Sequence, residues 1–177
     1  MFNRLRKPAR PSAVQDLYRA LIARSREKTF YQEWHVPDTI DGRFDLLTLH
    51  AFLIFDALSG QGPAAAESGS KLADVIFTGF DEALRELGIS DFGMGRRIRN
   101  MADAFYGRLH HYGLARTQPE LAAAVQRNLY RGDSERNDEA AGLASYMMAA
   151  RVRLKADVPA VLAGKPDFGP LPARLDR

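Results

Sequence analysis

Cysteine is absent from this 177-residue chain. Its absence excludes disulfides, thiolate catalysis, cysteine-ligated zinc and iron–sulfur clusters. Long apolar runs are missing too. The longest stretch without Asp, Glu, Lys or Arg is the eleven residues from Ala140 to Ala150, against about 20 needed to cross a bilayer. No apolar run follows the charged head between Met1 and Pro11, so no secretory signal is expected. No segment alternates apolar and polar residues between turn signals as a surface strand does.

Motifs for catalysis and metal binding are equally scarce. The four histidines are His35, His50, His110 and His111. None belongs to a His-x-x-x-His pair, and the adjacent His110 and His111 diverge by about 100° on a helix. Glu-x-x-His and Gly-x-Ser-x-Gly do not occur. Asp91-Phe92-Gly93 matches the magnesium-binding triplet of protein kinases without the two-lobed context that triplet requires. The expectation is a protein with no catalytic residue, no metal and no cofactor.

What is present is an apolar content of 46% with 27% charged residues, enough for one folded domain with a sizeable core. The net charge of +3 is unevenly spread. Residues 1–28 carry eight basic side chains against Asp16 and Glu27, whereas the remainder is slightly acidic. Residues 1–11 read as a basic arm whose Arg4, Arg6, Lys7 and Arg10 suit an anionic lipid surface, RNA or an acidic partner; a merely solvated arm is the alternative.

The periodicity from residue 12 to 164 is helical. Ser12 and Gln15 form a capping box ahead of Val14, Leu17, Tyr18, Leu21 and Ile22, predicting a helix from about Ser12 to Glu27. Asp41 is the expected cap of an apolar second helix through Phe44, Leu47, Ala51, Ile54 and Leu58. A third runs through Leu72, Ile76, Phe80 and Leu84, its start near Ala64 or Ser70, and stops at Gly88. Ser90 or Asp91 opens the next, with Ile98, Met101, Phe105 and Leu109 on one stripe. Thr117 and Glu120 make a second capping box, residues 132–138 a turn, and a last long helix carries Leu143, Met147 and Leu154. Residues 165–177 read as a Pro-rich tail. The fold class predicted is all-α, a single globular bundle of about six or seven helices.

Three binding readings stay open at this point. Gly93-Met94-Gly95-Arg96-Arg97 would bring backbone amides and guanidiniums to an anion, although no lysine follows the glycines and no strand precedes them. Arg96, Arg97, Arg99, Arg108 and Arg116 would track RNA phosphates without any recognised RNA or DNA module, and no DNA is expected as a partner. Aromatic and methionine groups would form either core or an adaptable surface for apolar clients. A quinone- or haem-binding helical protein is a further alternative. His50, in an apolar helix, reads as a hydrogen-bonded core histidine ahead of a ligand.

Three stretches add a resemblance: Val36 to Asp45 followed by His50; Leu87 to Leu109; and Arg127 to Arg131. Together they resemble the ubiquinol–cytochrome c chaperone family, over about Leu17 to Gly164. The resemblance implies a non-enzymatic assembly factor that binds newly made cytochrome b and supports assembly of the cytochrome bc1 complex. It also implies work near the membrane face and the translating ribosome, with or without a small partner protein. The composition looks like that of a bacterial member, in the cytoplasm at the inner membrane; a eukaryotic member would sit on the matrix side. Client-binding candidates are Arg43, Asp45 and His50 from the first stretch, and Asp91, Gly93, Gly95, Arg96, Arg97, Asn100, Ala104 and Arg108 from the second. Helix geometry puts Arg97, Asn100, Ala104 and Arg108 near one face. The alternative is that these arginines pair with Asp81, Glu82 or Glu86 of the preceding helix.

Overall fold

A computed structural model describes residues 12–86, 88 and 91–171, excepting the side chains of residues 91–93. Helix starts follow from local chemistry. In α1 (Ala13–Ser25) the Ser12 hydroxyl accepts from the Gln15 amide at 3.3 Å, and the Gln15 side chain accepts from the Ser12 amide at 3.2 Å. The reciprocal box recurs at α6 (Gln118–Leu129) between Thr117 and Glu120. Such caps contribute about 1 kcal/mol each. A short α2 (Lys28–Gln32) delivers Phe30 to the interior.

α3 (Ile40–Leu58) begins two residues earlier than expected. Thr39, not Asp41, is the N-cap, its hydroxyl accepting from the Gly42 amide at 3.1 Å. Gly42 packs onto the Pro37 carbonyl, where any Cβ would collide. α4 (Pro63–Glu86) starts at the earlier of the two expected places and continues through Ser68-Gly69-Ser70. Gly69 faces Phe55 and Leu58 of α3, so its small size serves the packing there. α5 is Asp91–Leu114, and α7 (Asn137–Ala156) follows a single 3-10 turn at Ser134–Arg136. The five-residue α8 (Val158–Leu162) ends the helical part. Among the described residues there are six long helices, two short ones and no strand, as the sequence predicts.

α3 is the axis of the bundle. It packs on α1, α4, α5, α6, α7 and α8, and thirteen of its nineteen residues are buried. α6 and α7 form an antiparallel hairpin against it. Residues read as the start of a tail lie on the bundle: Phe168 is buried, its ring edge-on to His50 at 5.4 Å. No described helix is long and apolar enough to cross a membrane.

Candidate functional site

The three sequence stretches quoted above meet at one side chain. Asp45, on α3, has no solvent exposure, and its two carboxylate oxygens face different arginines. Arg108 Nε of α5 stands 2.7 Å from one oxygen, and Arg131 Nη2, just past α6, stands 2.7 Å from the other. The contacts are close but not aligned as hydrogen bonds, so the groups meet as an ion triad. Arg108 also lies 5.2 Å over the Phe44 ring and donates to the Ala104 carbonyl at 3.1 Å. Arg131 adopts a left-handed backbone, φ 57°, which turns its side chain back while its Nη1 donates to the Asn128 carbonyl at 3.0 Å.

Burial dominates the electrostatics of this triad. It pushes the Asp45 carboxyl up to about 6, and the two guanidiniums recover only part of that shift. Tyr112, fully buried with Asn128 beside its hydroxyl, is likewise raised, first by burial and then by the nearby Asp45 charge.

A second buried network lies on the other side of α3. His50 Nδ1 is 2.8 Å from the Leu46 carbonyl, which only accepts, so Nδ1 carries the proton. Nε2 then accepts from the Tyr146 hydroxyl at 2.9 Å, and that hydroxyl accepts from Arg24 Nε at 3.0 Å. Arg24 continues to Glu27 at 2.9 Å and to the Gly169 carbonyl at 2.7 Å. Ser25 Oγ donates to the Leu21 carbonyl and borders Nδ1 at 3.3 Å. Burial lowers His50 to about 3 and raises Tyr146 to about 12. Both imidazole nitrogens are engaged, so the ring is a neutral structural centre rather than a haem or metal ligand.

A model of the ubiquinol-cytochrome C chaperone family matches residues 32–168, a range that contains Asp45, Arg108, Arg131, His50 and Tyr146. The chain belongs to this family. Its fold is similar to the crystal structure of the Cbp3 homolog from Brucella abortus, with a TM-score of 0.80 and 36% identity over 90% of each chain. It is also 23% identical over 119 residues to ubiquinol-cytochrome-c reductase complex assembly factor 1 of Xenopus laevis, covering 66% of this chain and 60% of that protein. The chain thus spans about three fifths of the length of that curated relative.

In this chaperone-family chain the candidate residues fall into distinct environments. Asp45 and His50 are fully buried, so direct contact of either with a client would require the bundle to open. Arg43 is exposed at the start of α3 and pairs with Asp38 at 2.7 Å. On α5, Gly95, Arg96, Arg97 and Asn100 are exposed and Ala104 is half-buried. Ile98 and Met101 line the same stretch, partly buried against the core. Asp91 and Gly93 contribute backbone to the first turn of α5. Arg108 is a different case: its side chain is 15% exposed and belongs to the Asp45 triad. Its partner is Asp45 of α3 rather than Asp81, Glu82 or Glu86 of the preceding helix, and reversing its charge would set two carboxylates against each other. Asp81, one expected acidic partner, is paired with Arg85 at 2.8 Å. Arg4, Arg6, Lys7 and Arg10 lie outside the described residues.

Arg131 lies in the third stretch but, like Tyr146 and Arg24, is not among the client-binding candidates read from the sequence. An arginine followed by glycine after a helix is a weak signal for Arg131, since both take left-handed backbone here. Tyr146 and Arg24 carry no local signal at all, because their roles arise only from packing across the chain.

Proposed function

We propose that this chain is a non-catalytic assembly chaperone that binds newly made cytochrome b and supports building of the cytochrome bc1 complex. The observation that carries the reading is the way α5 is held and presented. The Asp45–Arg108–Arg131 triad fastens the second half of α5 to α3 and the end of α6. The first half of α5 then offers Arg96, Arg97 and Asn100 to solvent beside the half-buried Ile98 and Met101. A rigid helix face with an apolar edge and a cationic rim suits a helix end or loop of an apolar membrane protein before its partners arrive. Asp91 and Gly93 begin this helix, and Arg43 flanks the triad at the start of α3; they remain candidates for the rim. Asp45, His50 and Arg108 are assigned the supporting role of keeping that face in place.

The basic arm complements this face. Arg4, Arg6, Lys7 and Arg10 would draw the protein to an anionic leaflet at about 1 kcal/mol per basic residue near the surface. That reading places the protein at the cytoplasmic side of the inner membrane in a bacterium, close to ribosomes making the client.

Charge reversal tests the face. Arg96→Glu with Arg97→Glu is expected to lower recovery of nascent cytochrome b several-fold in a pull-down from translating cells. Both positions are exposed, so the melting temperature should move by no more than about 2 °C. Undiminished recovery with an intact fold would remove this face from the reading. Binding of RNA with a steep salt slope instead would favour the RNA-module alternative.

A further inference from the structure

We propose that the outer face of α7, together with the end of α5, docks an acidic amphipathic helix of a partner protein. This surface does not depend on the cytochrome b reading, because it lies toward the other end of α3. Asp56, which supports it, follows Asp45 by eleven residues, about 16 Å along a helix.

The sequence of α7 is unusual for a solvated helix. From Ser145 to Ala156 it contains no acidic residue and three basic ones, Arg151, Arg153 and Lys155. Its outward stripe is Ser145, Ala149, Val152 and Ala156, all exposed, with Val152 at 70%. A surface helix ordinarily carries mixed charges on that face. Small side chains in such a row instead let a second helix approach at the 8–10 Å of packed helices.

Beside this stripe is a groove lined by Ala115, Arg116, Met148, Arg151, Val152 and Lys155. Met148 supplies an adaptable apolar wall, and Leu114 stands 57% exposed at the adjoining end of α5. Every charged residue lining the groove is basic. The nearby carboxylates are already engaged. Asp56 holds Arg151 Nε at 2.9 Å and Lys155 Nζ at 2.8 Å from below. Glu120 accepts from the backbone amides of Arg116 and Thr117 at 2.7 and 3.1 Å. Arg116 forms no ion pair among the described residues.

The charge pattern selects the occupant. A second copy of this chain would bring the same cations against the groove, and like charges disfavour that pairing. A lipid surface is flat, whereas the half-buried Met148 lies in a groove between α7 and the residues that follow α5, flanked by Arg116, Arg151 and Lys155. An amphipathic helix with leucine-type residues on one face and Glu or Asp on its flanks fits both features.

The test uses the full chain and an 18-residue helical peptide with Leu on one face and Glu on the others, read by fluorescence anisotropy. Its Lys-for-Glu counterpart serves as the control. The Glu peptide should bind in the micromolar range, lose at least tenfold on Val152→Asp and on Arg116→Glu, and weaken with salt, while the Lys peptide fails to bind. Val152 and Arg116 are exposed, so both variants should keep the parent's circular dichroism. Absence of Glu-peptide binding to the parent at 100 µM overturns the proposal, as does equal binding to both variants. So does a finding that Val152→Asp instead abolishes binding to phosphatidylglycerol vesicles or dissociates a dimer in sedimentation.

Discussion

Asp45 and His50 stand five residues apart on α3, both without solvent exposure, and are held from different sides. Arg108 and Arg131 hold Asp45, whereas Tyr146 holds His50. One helix therefore joins two buried polar networks within a core that is otherwise almost wholly apolar.

Their protonation pulls stability in opposite directions. Asp45 is raised to about 6, so its contribution to the fold is complete below about pH 4 and is lost as pH rises through 6. His50 is lowered to about 3, so its contribution is complete above about pH 6.5 and is lost as pH falls toward 3. Between pH 4 and 6 the two oppose each other. The melting temperature of the parent minus that of Asp45→Asn should therefore fall as pH rises from 4 to 6. The same difference for His50→Asn should rise over that window. Melting curves at half-unit pH steps check both slopes.

Tyr146→Phe keeps the ring and removes one hydroxyl that both donates and accepts. His50 Nε2 and Arg24 Nε each lose a partner, and leaving such a buried group unpaired costs roughly 1–3 kcal/mol. Urea unfolding at pH 7 should show a loss of that size, with an unchanged m-value.

Arg97→Glu and Arg108→Glu should separate cleanly despite lying on one helix. Arg97 is exposed, and its reversal should stay within ~0.5 kcal/mol. Arg108 faces a buried carboxylate, and its reversal should cost about 3–5 kcal/mol. Thermal melts of the two single variants give the comparison.

Gly142→Ala would place a methyl group inside the ring of Trp34, so the indole must shift. Overpacking of this kind costs about 1–3 kcal/mol. Trp34 is the only tryptophan and is 4% exposed, so its fluorescence should move to longer wavelength as the ring loses its cover.

The elements that could be read from the sequence are those whose causes are local. Both capping boxes lie within four residues, and each is present as expected. The start of α3 was misjudged because Thr39 and Asp41 are both competent caps two residues apart. The cap is Thr39, whose hydroxyl takes the Gly42 amide where Gly42 packs closely on the Pro37 carbonyl. Asp45 and His50 stand out in sequence as polar residues within an apolar helix, but their partners do not. Tyr146 lies 96 residues beyond His50, and no spacing rule reaches that far. Phe168 was hidden by its surroundings, since Pro166, Gly169 and Pro170 make the segment look like a solvated tail.

Because α3 is enclosed on nearly every side, it has almost no polar face of its own to offer water while the protein is being synthesised. Its partners on α7 begin at residue 137, some eighty residues after α3 ends. At typical elongation rates of about 5–20 residues per second, that interval lasts on the order of ten seconds. During it, the central helix of a protein that would shelter unfinished chains is itself an unsheltered apolar segment. Its yield in a cell should therefore depend on how quickly the ribosome reaches α7, and slowing translation between α3 and α7 should divert more of the product into aggregates.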